Sequence, residues 1–203
     1  MKLAKSLRQL AKLKQLGGSM RLAAEGWGAE WKCLIATIMS AQSRDEATIS
    51  IAEKLFEKFD SLDKLAKAEY SDVLGVLKSL NYNKTKAKNI ISCAQSLAGT
   101  YRGKVPHNFE NLIELPGVGR KTANVFLSEY GHDGLAVDTH VFYIARKLGW
   151  SKANHPHKVE EDLKKLFPSQ FWSEVNPTLV RFGKKYTSKR QKDALLDEIK
   201  RIK

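Results

Sequence analysis

Amphipathic helical patterns follow one another along almost the whole chain. Residues 31–39 are apolar on nearly every face, as expected of a buried helix. Apolar residues recur at helical spacing in residues 46–59, 86–97, 122–130, 139–148, 159–167, 171–185 and 189–199. No stretch shows the sustained period-two alternation of a half-buried strand, and no repeat of fixed length is present. The sequence therefore predicts an all-α fold, arranged as a compact bundle with short loops.

Short polar residues indicate where several of these helices begin. Ser43 and Glu46 have the spacing of a capping box, in which each side chain bonds the other residue's backbone N–H. Further N-cap candidates are Ser61, Ser71 and Asn108. Pro177 lies inside the pattern of residues 171–185 and is expected to kink or divide that helix, because it lacks an N–H.

The chain carries a large excess of positive charge, +13 at pH 7, with a pI near 9.7. Residues 1–22 hold six basic residues and no acidic one, and residues 181–203 hold nine basic residues against three acidic ones. Such an excess predicts an anionic partner, with nucleic acid first and a membrane surface second. The concentration of charge at both ends would matter most if the two ends met in space.

Other features bear on the compartment. No apolar run approaches the ~18 residues that would suggest a membrane span, and the basic N-terminus lacks the continuous apolar core of a secretory signal. Cys33 and Cys93 lie inside helical patterns, which favours buried thiols in a reducing compartment over a disulfide. We therefore expect a cytoplasmic protein with no membrane partner. We further expect a monomer that stays with the chromosomal DNA, nucleoid-associated in a prokaryote.

A glycine turn followed by basic residues stands out in residues 115–126, LPGVGRKTANVF. Glycines let a backbone approach a ligand closely, and N–H groups of such a turn and of the next helix start suit a phosphate. A plain turn between two helices is the alternative. The preceding proline, the following basic residues and the basic chain favour phosphate binding. The expected DNA contacts here are Pro116, Gly117, Val118, Gly119, Arg120 and Thr122.

Two residues of this region have a chemistry beyond binding. Lys121 sits in the first turn of the predicted helix, where the helix dipole makes a cation unfavourable, so the position favours a reactive lysine over a purely structural one. A solvated surface lysine is the alternative. Asp138 precedes the helix of residues 139–148 and suits its N-cap. If both face one cleft, this carboxylate could stabilise positive charge or move a proton.

LPGVGRKTAN followed by AVDTHVF resembles the signature of the helix–hairpin–helix DNA glycosylase superfamily, and specifically of its endonuclease III branch. The similarity covers about residues 30–150. Its upstream part lies in residues 34–45 (LIATIMSAQSRD), 81–90 (NYNKTKAKNI) and 103–119 (GKVPHNFENLIELPGVG).

The resemblance implies two helical domains with a DNA cleft between them. One would be a six-helix domain, residues 23–133, containing the helix–hairpin–helix unit of residues 109–130. The other would be discontinuous, built from residues 1–22 and 134–203, so that the two basic chain ends meet. At 203 residues, the chain is long enough for two small domains.

The resemblance also assigns roles to individual residues. Lys121 matches the catalytic lysine and Asp138 the catalytic aspartate. His140, one turn into the following helix, would line the pocket, or serve instead as a local structural partner.

Two further residues match positions that enter the DNA duplex in the family. Gln42 corresponds to a residue that fills the gap left by an extruded nucleotide. Tyr82 falls where the family places an apolar wedge opposite the lesion. The family usually has Gly-Leu or Gly-Phe there, so Asn81-Tyr82 is a departure, although an aromatic side chain can still wedge by stacking.

The activity implied is that of a bifunctional DNA glycosylase and AP lyase of base excision repair, acting on oxidised pyrimidines and abasic sites in double-stranded DNA. The damaged base is flipped out of the duplex. The Lys121 amine attacks the sugar C1′ and expels the base, and the Schiff base then promotes β-elimination. Two alternatives stay open: a glycosylase for a mismatched base or an oxidised purine, and a non-catalytic helix–hairpin–helix module that only binds DNA.

The chain departs from the family in one large respect. Endonuclease III usually carries a four-iron, four-sulfur cluster, held by four cysteines just after a motif like GKKYT. Here GKKYT is followed by Ser188 and then by no cysteine, and Cys33 and Cys93 cannot supply four thiolates. We therefore expect no iron–sulfur cluster, no other metal and no other cofactor. The basic C-terminal helix would replace the cluster loop by packing and direct charge.

Overall fold

The computed structural model describes residues 2–203, and in this part of the chain all regular secondary structure is helical. The α-helices are α1 (Lys2–Gly17), α2 (Glu30–Ser40), α3 (Asp45–Lys58), α4 (Leu62–Ala66), α5 (Tyr70–Leu77), α6 (Asn83–Gly99), α7 (Phe109–Ile113), α8 (Arg120–Glu129), α9 (Thr139–Leu148), α10 (Pro156–Leu166), α11 (Trp172–Lys185) and α12 (Lys189–Lys200). A short 3₁₀ helix, Ser169–Phe171, precedes α11. The all-α prediction is confirmed. None of these helices has the length and apolar character that crossing a membrane requires.

Residues 21–129 form one compact unit, built from α2 to α8. Its centre is α2, whose residues from Cys33 to Met39 are all buried, and which is contacted by α3, α6 and α8. The prediction of a buried helix at residues 31–39 is therefore right for residues 33–39, whereas Trp31 and Lys32 in its first turn are half-buried.

Residues 2–20 and 130–203 form the second compact unit, in which α1 packs along α11 and also contacts α12. Gln9 of α1 is buried here, donating to the Ile199 carbonyl at 3.2 Å and accepting from the Trp150 indole at 2.7 Å. At the surface, Arg8 donates to the Lys203 carbonyl at 2.6 Å. The two chain ends thus meet. The domain boundaries expected from the sequence stay a prediction, since compactness does not test independent folding.

The net charge is divided very unequally between the two units. The unit that contains both chain ends has 20 basic and 9 acidic residues, a net charge of +11. The unit of residues 21–129 has 15 basic and 13 acidic residues, a net charge of +2. Most of the attraction for an anionic partner therefore arises in the unit built from the chain ends.

The N-caps at Ser61 and Asn108 are confirmed. Ser61 accepts a hydrogen bond from the Lys64 N–H at 3.3 Å, and Asn108 accepts one from the Asn111 N–H at 2.8 Å. The N-cap at Ser71 is wrong, because α5 already begins at Tyr70.

The capping box at Ser43 is also wrong. Arg44 occupies the N-cap of α3 and makes no side-chain capping bond. The Ser43 hydroxyl instead accepts a hydrogen bond from the Lys86 ammonium at 2.9 Å. The Ser43 hydroxyl, which the local pattern assigned to the helix start, thus takes part in a tertiary contact instead.

Pro177 does not divide its helix, because α11 runs unbroken from Trp172 to Lys185. The proline removes one backbone hydrogen bond, but α11 buries Val175, Leu179 and Phe182 and packs on α1 and α9. Packing of a buried face contributes more to a helix than a single backbone bond.

Candidate functional site

The turn between α7 and α8 is anchored from within its own unit. The Val118 N–H donates to the Leu115 carbonyl at 3.0 Å, and the Val118 side chain is buried. Gly117 has a φ of +80°, and a Cβ there would lie 2.8 Å from Asn89 Cβ. Both the backbone conformation and the packing therefore require glycine at position 117.

Gly119 differs, because nothing in the fold requires a glycine there. Its φ is not positive, and a Cβ built on it would meet no atom within 4 Å. Its carbonyl accepts from the Ala123 N–H at 2.9 Å, so it stands at the N-terminus of α8, where N–H groups lack partners within the helix. An exposed glycine that the fold does not need leaves room for a ligand at this helix end.

The residues around this glycine divide by exposure. Lys121 and Arg120 are exposed in the first turn of α8, and that turn contains no acidic residue. The Arg120 guanidinium also lies over the Phe109 ring, 4.9 Å from its centroid. Thr122 and Val118 have buried side chains, so a DNA contact by either would come from the backbone. Pro116 is half-buried.

Asp138 and His140 belong to the unit built from the chain ends. Asp138 is half-buried and caps α9, accepting from the Val141 N–H at 2.9 Å, as the sequence predicted. His140 is half-buried against α11, where a Cβ on Gly183 would overlap its ring. Because that glycine makes room for the imidazole, the packing favours the local structural role for His140. The pairing of Asp138 with Lys121, which lies in the other unit, stays a prediction.

Gln42 and Tyr82 lie on two loops of the unit of residues 21–129, and the structure connects these loops. Both residues are exposed and have left-handed backbones, with φ of 52° and 57°. The Asn81 side-chain amide donates to the Gln42 carbonyl at 2.8 Å. Beside this bond, the Lys86 ammonium donates to the Ser43 hydroxyl at 2.9 Å.

Lys86 was not among the site residues expected from the sequence. Its side chain is buried, and burial lowers its pKa from 10.5 to about 8. The signal was present in the helical pattern, because Lys86 lies on the same face of α6 as the buried Ile90, Cys93 and Leu97. A lysine on an apolar face indicates a specific partner for its ammonium.

The residues present do not fit an iron–sulfur cluster. Cys33 and Cys93 are both buried, and burial raises the pKa of the Cys93 thiol to about 12, which opposes the thiolate that a cluster needs. Across residues 2–203, no group of three or more His, Cys, Asp or Glu side chains is placed to hold a metal ion. The segment after Thr187 is instead α12, which is joined to α9 by a Lys147–Asp197 ion pair of 3.2 Å.

Known proteins resemble this chain over most of its length. Residues 35–169 match the model of the HhH-GPD superfamily base excision DNA repair protein. The chain is 41% identical to endonuclease III of Thermotoga maritima over 156 residues, 76% of this chain and 73% of the relative. It is 34% identical to endonuclease III of Rickettsia felis over 172 residues, 84% and 81% of the two chains.

Solved structures show the same relationship. A trapped endonuclease III–DNA covalent intermediate, an estranged-adenine complex, is similar with a TM-score of 0.83 and 28% identity, over 92% of this chain and 88% of that one. A thermostable thymine-DNA glycosylase, 16% identical, shares the fold with a TM-score of 0.80, over 97% and 96% of the two chains. The family model covers well over half of the residues, and several relatives are more than 30% identical. The chain therefore belongs to the HhH-GPD superfamily of base excision DNA repair proteins.

Proposed function

We propose that the protein is a bifunctional DNA glycosylase and AP lyase, which removes oxidised pyrimidines from duplex DNA and cleaves the abasic site that results. It acts as a monomer in the cytoplasm, on chromosomal DNA. The observation that carries the residue assignment is the exposed Gly119 at the start of α8, two residues before the exposed Lys121. A phosphate held at this helix end brings a DNA strand beside a lysine amine.

In this mechanism, the hairpin holds the DNA backbone and reads no sequence. The Lys121 amine attacks the C1′ carbon of the flipped nucleotide, and the glycosidic electron pair leaves with the base. Asp138 stabilises positive charge on the sugar, with its carboxylate oriented by the Val141 N–H. A proton of the attacking amine passes to the departing base. The C1′–O4′ bond of the resulting aminal then breaks, O4′ takes a proton from water, and a C1′ iminium forms. The iminium acidifies the C2′ proton, and loss of that proton breaks the C3′–O bond, expels the 3′ phosphate and cuts the strand.

Borohydride trapping on duplex DNA with an abasic site tests the nucleophile. Borohydride reduces the iminium to a stable amine, so we expect a covalent protein–DNA adduct with the wild type and none with Lys121→Gln. Lys104→Gln is the matched control, since Lys104 is another exposed lysine of the same unit. An adduct of undiminished yield with Lys121→Gln would assign the chemistry to another amine.

The lesion is tested separately, with a panel of duplexes containing an oxidised pyrimidine, an oxidised purine or a mismatch. We expect the oxidised pyrimidine to be released fastest. Asp138→Asn is expected to bind the same duplex and to release the base far more slowly. Faster release of the purine or the mismatched base would refute the substrate assignment while leaving the lyase intact.

A further inference from the structure

Three residues of the unit of residues 21–129 that are not glycine have a left-handed backbone, and two of them, Gln42 and Tyr82, lie on exposed loops that are bonded to each other. Gln42 follows α2 with a φ of 52°, and Tyr82 precedes α6 with a φ of 57°. This conformation brings the Cβ close to the following carbonyl oxygen and is costly for either residue. Such strain persists only where the surrounding structure holds the backbone in place, and it is concentrated at functional positions.

The contacts that hold these loops come from Asn81 and Lys86. The Asn81 amide spans from one loop to the other and donates to the Gln42 carbonyl at 2.8 Å. Lys86, on the first turn of α6, donates to the hydroxyl of Ser43, the residue after Gln42, at 2.9 Å. The two bonds therefore attach both sides of the Gln42 peptide unit to the segment that carries Tyr82.

The Tyr82 side chain is not explained by packing within the protein. It is 64% exposed, the highest value among the exposed large hydrophobic side chains of residues 2–203. Burial gains therefore do not offset the strained backbone that presents it. An exposed aromatic ring, on a loop that is bonded to the Gln42 loop, suits stacking on an exposed base.

We propose that Asn81 and Lys86 are positioning residues, which lock the Gln42 and Tyr82 loops into one preorganised element that enters the DNA duplex. The inference rests on the proposed function. A glycine at position 81, as the resembling family usually has, could not make the side-chain bond to Gln42, so the lock through Asn81 is a property of this chain. Loops ordered before binding lose less conformational entropy when they insert.

The test compares Asn81→Ala with Gln95→Ala. The control removes the same kind of bond, an exposed amide donating to a backbone carbonyl, here that of Ala66 at 3.1 Å, in the same unit. Affinities are measured for an abasic-site duplex and for the undamaged duplex of the same sequence. Trapping is measured on the abasic duplex at saturating protein, and base release on the oxidised-pyrimidine duplex.

For Asn81→Ala, we expect the preference for abasic over undamaged duplex to fall roughly three- to tenfold, the size of effect expected for one hydrogen bond. Base release should slow, while undamaged-duplex affinity, trapping at saturation and the melting temperature stay as in Gln95→Ala. Lys86→Met, which keeps the chain length without the donor, should lower the same preference.

An unchanged preference in Asn81→Ala would overturn the inference, as would an equal loss of affinity for both duplexes. Failure of the proposed function looks different, since the wild type itself would then neither trap on the abasic duplex nor prefer it.

Discussion

The fold requires a glycine at position 117 but not at position 119. Gly117 adopts a positive φ and packs against Asn89, so Gly117→Ala should destabilise the fold by at least about 1–2 kcal/mol from the backbone conformation alone. Gly119→Ala meets no neighbour, so its free energy of unfolding should change by less than about 1 kcal/mol. Urea denaturation measures both changes.

The affinity for duplex DNA should depend on Gly119, although the stability of the fold does not. Gly119→Ala places a methyl group where the hairpin is proposed to meet a phosphate, so its affinity should fall although its stability does not. Affinity for an undamaged duplex, measured at fixed salt, checks this. Wild-type affinity in a folded Gly119→Ala would show that no phosphate approaches this residue.

Lys86 should make stability depend on pH in the alkaline range. Its pKa is lowered by burial to about 8 in the folded protein, against 10.5 for an ordinary lysine. Below about pH 8, both states hold the proton, and the folded state bears the full cost of a buried ammonium. Between about pH 8 and 10.5, the unfolded chain binds the proton that the folded protein has released, so the free energy of unfolding rises with pH.

Lys86→Met isolates this contribution, because all other titrating groups remain. Urea denaturation of both proteins at pH 7 and pH 9.5 should show the wild type gaining stability relative to the variant. If the free energy of unfolding changed equally in both proteins between the two pH values, the Lys86 pKa would be the same in the folded and unfolded states.

Local sequence patterns predicted several helix N-caps correctly, and they failed where a distant residue bonded the capping group. The caps at Ser61, Asn108 and Asp138 depend on a backbone N–H three residues away, which the sequence contains. The Ser43 box had equally good spacing, but its hydroxyl accepts from Lys86, 43 positions along the chain. No local pattern contains such a partner.

At the scale of elements, α12 shows both what the sequence predicts and where it stops. The missing cysteines and the helical pattern of residues 189–199 are readable. The attachment of α12 is not, because Tyr143 of α9 donates to Asp193, fifty positions away. That bond is the main reason why the pKa of Tyr143 is raised to about 12. Leu196 and Ile199 are the buried side chains of α12.

If packing holds this C-terminal segment, a chelator should not affect it. We expect the melting temperature to stay unchanged after dialysis against a strong iron and zinc chelator. Leu196→Ala, at a fully buried position, should lower the free energy of unfolding by about 2–5 kcal/mol. Lys200→Ala, on an exposed position of α12, is the control, with a change within about 0.5 kcal/mol. A drop in melting temperature on chelation would mean that a metal stabilises the fold.

At the scale of the whole molecule, the distribution of charge is a property that the sequence shows only in part. The basic ends are visible along the chain, but their union in one unit of net charge +11 depends on the packing of α1 against α11 and α12. Residues 189–192 add a further indication. Three of these four residues are cations in the first turn of α12, where the helix dipole opposes them. Stability does not favour that placement, whereas attraction to DNA does.

Charge neutralisation separates these two demands. The triple variant Lys189→Gln, Arg190→Gln and Lys192→Gln should keep or slightly raise the free energy of unfolding, because it removes cations from a helix N-terminus. The same variant should weaken binding to undamaged duplex and make the slope of log affinity against log salt shallower, by about 0.9 for each phosphate that the variant no longer neutralises.

The matched triple is Lys54→Gln, Lys67→Gln and Lys104→Gln, at exposed positions of the unit whose net charge is +2. Each triple removes three positive charges, so a general loss of charge would change both slopes alike. A larger change of slope in the α12 triple than in the matched triple would assign the DNA contact to the unit built from the chain ends. Equal changes of slope in the two triples would refute that assignment.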